Sequence, residues 1–232
     1  MLVKTFGSAV HGISATTVTV EVNMSQGINF FMVGLPDNAV KESHHRIHAA
    51  LNNNNLKIPG KQITINLAPA DIRKEGSAYD LTIAVGILAA SEQIKSEDVS
   101  NYIIMGELSL DGELRPIKGT LPIAIKAKLE GFKGLILPEE NAKEAAVVDG
   151  MDVYGVSNIK QVIDFFNKTK LLEKTTIDIQ QEFLTRLDDF DFDFADVKGQ
   201  ENIKRALEIA ASGGHNVILI GPPGAGKTML SK

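Results

Sequence analysis

The chain has 232 residues, of which 44% are hydrophobic and 23% are charged, a composition typical of globular proteins that predicts a packed core. It carries 24 basic and 29 acidic residues, and the net charge of −5 excludes a general attraction to nucleic acid or to an anionic membrane. Cysteine is absent, which excludes disulfides, thiol catalysis and cysteine-ligated zinc.

The first residues do not resemble a targeting segment. One lysine is followed by an apolar stretch that glycine, histidine and serine soon interrupt, so the apolar core of a signal peptide is missing. No window approaches the roughly 20 apolar residues that span a bilayer. We therefore expect a soluble, cytoplasmic protein without a membrane partner.

Residues 1–168 alternate between strand and helix patterns. Two β-branched and aromatic runs, residues 16–22 and 28–33, are separated by a turn-rich gap and predict a β-hairpin. A second hairpin is predicted over 102–117, around the turn at Asp111 and Gly112. The remaining predicted elements are strands at 63–69, 134–138 and 151–156 and helices at 35–51, 80–90, 121–129, 139–148 and 158–166. Interleaved strands and helices indicate one layered domain of α/β or α+β class over residues 1–168.

The composition changes after residue 168. Acidic residues dominate 171–195, and this segment ends in alternating aspartate and phenylalanine. The alternation fits either a strand or an acidic linker with aromatic anchors, and we favour a linker over 169–195. A new unit, 196–232, then begins; within it a helix is predicted at 201–211, a turn at 212–214 and a strand at 216–220.

The last part of the chain contains a motif for binding phosphate. Residues 221–228 read GPPGAGKT and match the phosphate-loop pattern, between a predicted strand and the start of a helix. Glycines let backbone N–H groups converge on phosphate oxygens, and the helix that begins near Lys227 adds its positive end. The Lys227 ammonium is expected to reach the β- and γ-phosphates and the Thr228 hydroxyl to ligate Mg²⁺. The pattern thus predicts ATP and Mg²⁺ binding by Gly221, Pro222, Pro223, Gly224, Ala225, Gly226, Lys227 and Thr228.

A phosphate loop does not by itself hydrolyse ATP. Hydrolysis also needs an acidic partner for Mg²⁺ on a second strand, a group that positions water and commonly an arginine from a neighbouring subunit. In such folds these groups follow the loop in the sequence. We therefore interpret the chain as the front of a longer ATPase and expect these 232 residues alone to be catalytically inert.

The segment 194–230 resembles the beginning of the AAA+ module of magnesium-chelatase-like ATPases, the YifB/ComM group. In that family an aspartate-X-X-glycine-glutamine box, here Asp196 to Gln200, lies against the adenine. The resemblance therefore implies adenine contacts for Val197 and Gly199. Residues 1–168 are similar to the amino-terminal domain of the same family, which is related to the proteolytic domain of Lon protease; this likeness is carried by residues 75–88 and 106–141.

The resemblance to Lon does not extend to its catalytic dyad. Lon-type proteases activate a serine with a lysine, but by alignment with that motif the serine position holds Ala78 and the lysine position holds Leu121. Ser77 and Lys118 lie nearby in the sequence and would form a displaced dyad. We favour the alternative that Ser77 and Asp80 complement the first turn of the helix over 80–90, so that the domain is not a protease.

The family resemblance also implies an assembly and a substrate. It implies a homo-oligomeric ring, hexameric in the full-length protein, and ComM-type members work on DNA in recombination as branch-migration motors. Two other functions stay open: metal insertion into a tetrapyrrole, as in magnesium chelatase, and a non-enzymatic binding module with a vestigial phosphate loop.

Two further patterns bear on zinc binding and on DNA binding. His44 and His48 have the i, i+4 spacing of a zinc site, but no further ligand completes the set, so an ordinary helix face is favoured. Lys126, Lys128 and Lys133 would form a patch for DNA phosphates with basic residues near positions 57–74. The acidic net charge favours a solvated surface instead.

Overall fold

The computed structural model describes residues 1–178 and 193–231. The chain divides into two compact units, Met1–Ile177 and Asp178–Lys232. In the described ranges, no helix has the length and apolar character needed to cross a membrane. Most of the predicted acidic linker, 169–195, falls outside the described residues, so the proposed three-part division of the chain remains a prediction.

The first unit is built from nine strands and five α-helices. The strands are β1 (Leu2–His11), β2 (Ser14–Ser25), β3 (Phe30–Val33), β4 (Gln62–Ala68), β5 (Tyr102–Ile104), β6 (Glu107–Leu108), β7 (Leu114–Arg115), β8 (Gly134–Pro138) and β9 (Asp152–Val156). The helices are α1 (Asn38–Asn53), α2 (Asp80–Ala90), α3 (Thr120–Leu129), α4 (Glu139–Ala146) and α5 (Ile159–Phe166).

Seven of these strands form one sheet in the order β3-β4-β2-β1-β5-β8-β9. The pairs β3/β4, β1/β5, β5/β8 and β8/β9 are parallel, whereas β1/β2 and β2/β4 are antiparallel. Helices alternate with the parallel strands, which is the pattern of a layered α/β domain. The predicted fold class is confirmed.

The first predicted hairpin is wrong. β2 pairs with β1 over ten residues and with β4 over seven, so both of its edges are filled and β3 pairs in parallel with the far side of β4. The longer ladders form more hydrogen bonds than the four-residue β3 can offer. Instead, β2 forms a hairpin with β1, a strand that was not predicted from the sequence. The second predicted hairpin, 102–117, forms only in part: β6 and β7 pair around Asp111 and Gly112, whereas β5 joins the seven-stranded sheet between β1 and β8.

Helix α2 lies in the centre of the core, as its apolar sequence predicts. All eleven of its residues are buried. A Cβ on Gly86 would lie 2.7 Å from Cγ2 of Val22, so glycine allows the helix to approach the sheet closely. The Thr5 hydroxyl, on β1, donates to the carbonyl of Thr82 at 3.0 Å and ties sheet and helix together.

The first unit continues beyond residue 168. Leu172 packs against its core, and the backbone N–H of Thr175 donates to the carbonyl of Val153 at 2.8 Å, next to the outermost strand. Lys174 forms an ion pair with Asp152 at 2.8 Å. These contacts explain why the compact unit extends to Ile177.

In the second unit, a 3₁₀ turn (Phe194–Asp196) precedes helix α6 (Glu201–Gly213), and α7 (Lys227–Leu230) follows the phosphate loop. The strand predicted at 216–220 is absent. These residues are irregular, and Ile218 and Ile220 are 81% and 88% exposed. A strand needs a hydrogen-bonded neighbour, and among the described residues of this unit none is available.

Candidate functional site

The phosphate loop has the backbone conformation that its glycines predict. Gly224 and Gly226 have φ angles of +80° and +76°, in the left-handed region that an L side chain rarely adopts. Gly226 directly precedes α7, so the helix starts at Lys227 as the motif requires. The backbone N–H of Ala225 donates to the carbonyl of Pro222 at 3.3 Å, which closes the turn.

The lysine of the motif folds back over this loop. The ammonium of Lys227 donates to the carbonyls of Gly221 and Pro222, each at 2.7 Å. The hydroxyl of Thr228 has no hydrogen-bond partner among the described residues, which leaves both of its lone pairs for a ligand. The loop thus presents one ammonium and one hydroxyl at the start of the helix.

The box that precedes α6 lies beside the loop. Val197 is buried within the second unit, at 8% exposure, while Gly199 has a φ of +72° and is exposed. A Cβ on Gly226 would lie 3.9 Å from Nε2 of Gln200, so the side chain of Gln200 reaches the loop. Gln200 itself has a φ of +59°, uncommon for a residue with a side chain.

The approach of the Gln200 side chain to the loop was not predicted from the sequence. Its place at the end of the aspartate-X-X-glycine-glutamine box was the available signal. Elsewhere in this unit, a groove of about 760 Å³ is lined by residues of α6, of the segment that leads to the loop and of α7. Its apolar walls include Leu207, Val217, Leu219, Met229 and Leu230.

The residues considered for a displaced protease dyad line one cavity in the first unit but do not form a dyad. The cavity has a volume of about 410 Å³ and includes Ser77, Ala78 and Lys118 in its walls. The Ser77 hydroxyl donates to the carboxylate of Glu107, which also pairs with Arg115 at 3.6 Å. Because the Ser77 hydroxyl donates its proton to Glu107, it is not hydrogen-bonded to Lys118 as a serine–lysine dyad requires.

The predicted role of Ser77 at the start of α2 is also wrong. The capping residue of that helix is Tyr79, which makes no side-chain capping hydrogen bond, and Ser77 donates to Glu107 instead. Asp80 does lie in the first turn, but its carboxylate accepts hydrogen bonds from Arg46 at 2.6 and 2.9 Å. Burial raises the pKa of Asp80, and the hydrogen bonds from Arg46 oppose that rise.

Among the described residues, His44 and His48 do not form a metal site. The ring of His44 packs on Phe30 with centroids 4.2 Å apart and lies 6.3 Å from the ring of His48. Burial lowers the pKa of His44, as expected for a ring against an aromatic neighbour. Nowhere in the described ranges do three potential metal-liganding side chains come together.

The three lysines of the proposed phosphate patch have different neighbours. Lys126 pairs with Glu130 at 2.8 Å, and Lys128 donates to the carbonyl of Asp149. The ammonium of Lys133 lies 5.8 Å from the ring centroid of Tyr102. These contacts support the solvated-surface interpretation rather than a shared phosphate patch.

Comparison with known proteins identifies the family. Residues 20–141, more than half of the chain, match the family described as subunit ChlI of Mg-chelatase. The chain belongs to this family. Residues 193–232, which contain the phosphate loop, match a second model of the same kind, described as magnesium chelatase, subunit ChlI.

Individual members of the family are similar along nearly the whole chain. Competence protein ComM of Haemophilus influenzae is 41% identical over 227 residues, 97% of this chain and 44% of ComM. The YifB protein of Escherichia coli is 42% identical over 221 residues, 95% of this chain and 42% of YifB. The resemblance to the YifB/ComM group is confirmed, and the chain spans less than half the length of these relatives.

Two more distant relatives match about half of this chain. Lon protease 2 of Bacillus subtilis is 31% identical over 126 residues, 53% of this chain and 22% of that protein, which agrees with the expected Lon-like domain. DNA repair protein RadA of Aquifex aeolicus is 31% identical over 105 residues, 45% of this chain and 22% of RadA.

Proposed function

We propose that this chain is the amino-terminal part of an ATP-binding AAA+ motor of the magnesium-chelatase-like family, and that the motor acts on DNA during recombination or branch migration. The observation that carries the proposal is the phosphate loop, in which Gly224 and Gly226 take left-handed conformations directly before the helix at Lys227. The local geometry supports the proposed nucleotide binding, and kinship supports the proposed action on DNA.

The residues of the second unit fit ATP and Mg²⁺ in their chemistry. Gly221, Gly224 and Gly226 offer backbone N–H groups where no side chain intervenes, and Lys227 offers an ammonium for phosphate oxygens. The Thr228 hydroxyl is the hard oxygen ligand that Mg²⁺ prefers. The family resemblance assigns Val197 and Gly199 to the adenine, and Gln200, at the end of their box, reaches the loop. Bound Mg²⁺ would neutralise developing charge on the phosphates.

The DNA assignment rests on the names of relatives. One is named a competence protein and another a DNA repair protein, and the second name describes work on DNA. In this proposal the first unit is a platform without protease chemistry, because Ala78 stands at the serine position and Ser77 is bound to Glu107. The full-length protein acts as a hexameric ring in the cytoplasm, where ATP and chromosomal DNA are present.

A second candidate function is suggested by the family description. Magnesium chelatase is named for metal insertion, and a motor of this family could drive that reaction on a tetrapyrrole. The similarity to ComM over 97% of the chain favours DNA instead. The third candidate is a binding module in which the phosphate loop is vestigial.

ATP turnover by the full-length protein distinguishes the three candidates. We expect turnover that rises when branched or single-stranded DNA is added and does not respond to a porphyrin with Mg²⁺. Lys227→Ala should lower turnover by about a hundredfold or more, because it removes a cation from the charged phosphates. Lys160→Ala, on the exposed surface of α5, is the matched control and should leave turnover unchanged.

Two results would contradict the DNA proposal. Stimulation by porphyrin but not by DNA would favour metal insertion, and no turnover under any condition would favour a vestigial loop. The 232-residue chain on its own should show no turnover, because hydrolysis requires additional groups on further strands.

A further inference from the structure

Strand β1 has an unpaired backbone edge inside the first unit. It pairs with β2 along its whole length, but on its other side it pairs with β5 only through Phe6 and Ile103. Backbone groups of alternate residues point to the same edge of a strand, so those of Ser8 and Val10 point in the same direction as those of Phe6. At that edge the N–H of Ser8 meets the sulfur of Met105 at 3.2 Å instead of a carbonyl.

The edge is unpaired because the chain turns away after β5. The N–H of Gly106 donates to the carbonyl of Ala78 at 2.8 Å rather than to β1. As a result, no strand in the described part of the chain continues the ladder beside Ser8 and Val10. Open backbone edges of this kind accept a further strand readily.

This edge faces the 410 Å³ cavity rather than bulk solvent. Ser8, Ala9, Val10 and His11 form one wall of the cavity, and residues 76–79 and 116–118 form the others. The volume lies in the range of clefts that bind ligands. Apolar side chains, among them Met105, Ile117 and Ile123, also line it.

One cationic side chain of the cavity wall has no anionic partner among the described residues. Arg73 pairs with Glu75 at 3.3 Å, and Glu107 is engaged by Ser77 and Arg115. Within the described ranges, the ammonium of Lys118 has no such partner. A ligand with a carboxylate would complement it.

We propose that this cavity is a binding site for an extended peptide segment of a partner protein that carries acidic side chains. The segment adds as a strand to β1, so that its backbone pairs with that of Val10 and replaces the Met105 sulfur as the partner of the Ser8 N–H. One acidic side chain lies toward Lys118, and alternate apolar side chains pack against the apolar wall. This site belongs to the first unit and does not depend on the proposed function of the phosphate loop.

A short synthetic peptide tests the proposal with the complete chain. The probe is a seven-residue peptide of alternating valine and aspartate, blocked at both ends and extended by one tryptophan. The chain contains no tryptophan, so the fluorescence anisotropy of the probe has no background from the protein. We expect saturable binding, and at least tenfold weaker binding when lysine replaces aspartate in the peptide.

Two changes separate the backbone contribution from the charge contribution. N-methylation of alternate peptide nitrogens removes backbone donors without altering charge, and it should weaken binding at least tenfold. Lys118→Glu should weaken binding by a similar factor, whereas Lys160→Glu makes the same charge change at an exposed position outside the cavity wall and should not. Circular dichroism of both variants confirms that they are folded.

The proposal would be overturned by any of three results with folded protein. One is the absence of saturable binding of the valine–aspartate peptide. Another is unchanged affinity after N-methylation, which would exclude strand addition. The third is equal affinity of the Lys118→Glu and Lys160→Glu variants, which would exclude the charge contact.

Discussion

Asp80 connects three elements of the first unit through one carboxylate. It accepts hydrogen bonds from Arg46 of α1, and the backbone N–H of Leu108 in β6 donates to it at 3.3 Å. Its side chain is 1% exposed, and that of Arg46 is 22% exposed. A charge pair buried to this degree is costly to break, because the remaining partner loses its counter-charge in a poorly solvated site.

We predict that Asp80→Ala lowers the free energy of unfolding by about 3–5 kcal/mol, measured by urea denaturation. Arg73→Ala is the matched control, because Arg73 pairs with Glu75 at 3.3 Å while its side chain is 70% exposed. It should change stability by less than about 1 kcal/mol. Equal effects of the two substitutions would show that burial of the Asp80 pair contributes nothing.

Single residues were predictable where a motif fixes their conformation. The glycines of the motif were expected to let the backbone converge on phosphate, and Gly224 and Gly226 have left-handed φ angles. The partner of Asp80 was not predictable, because Arg46 lies 34 residues away and meets it only after α1 and α2 pack. Ser77 was misassigned for the same reason, since Glu107 reaches it from β6, 30 residues later.

At the scale of elements, close approaches between strands determine where glycine is required. Gly34 follows β3 with a φ of +97°, and a Cβ there would lie 2.1 Å from the carbonyl oxygen of Leu67 in β4. Gly12, at the tip of the β1–β2 hairpin, has a φ of +61° but nothing within 4 Å of its Cβ position. An alanine at position 12 would therefore introduce backbone strain alone, whereas an alanine at position 34 would add a steric clash.

We predict that Gly12→Ala costs about 1–2 kcal/mol, the strain of a left-handed alanine. Gly34→Ala should cost clearly more, because the Leu67 carbonyl belongs to the β4 ladder and cannot move without disturbing it. Thermal unfolding of both variants measures the difference. If Gly12→Ala is as damaging as Gly34→Ala, β3 and β4 do not approach each other as described.

Elements with strong local patterns were predicted well, and pairing was not. The uniformly apolar sequence of α2 identified a buried helix, and all of its residues are buried. β1 was missed because glycine, serine and histidine interrupt its apolar pattern, yet β2 stabilises it through ten paired residues. The strand at 216–220 was predicted from apolar composition alone, but composition cannot supply the neighbouring strand that a ladder requires.

At the scale of the whole molecule, the two units carry separate kinds of chemistry. The first unit, Met1–Ile177, has a large continuous core around a seven-stranded sheet. Within the described part of the second unit, only Val197, Ala210 and Leu230 are buried apolar residues. The phosphate loop therefore lies on a unit whose described residues bury few apolar side chains, and the full-length protein is the right material for testing it.

The central claim is that the loop around Lys227 binds the triphosphate of ATP. Isothermal calorimetry of the full-length protein with ATP and Mg²⁺ tests it most directly. We predict saturable heat of binding that Lys227→Ala abolishes and Lys160→Ala preserves, with the first unit folded in both variants. No heat with the unaltered protein, or undiminished heat with Lys227→Ala, would contradict the claim.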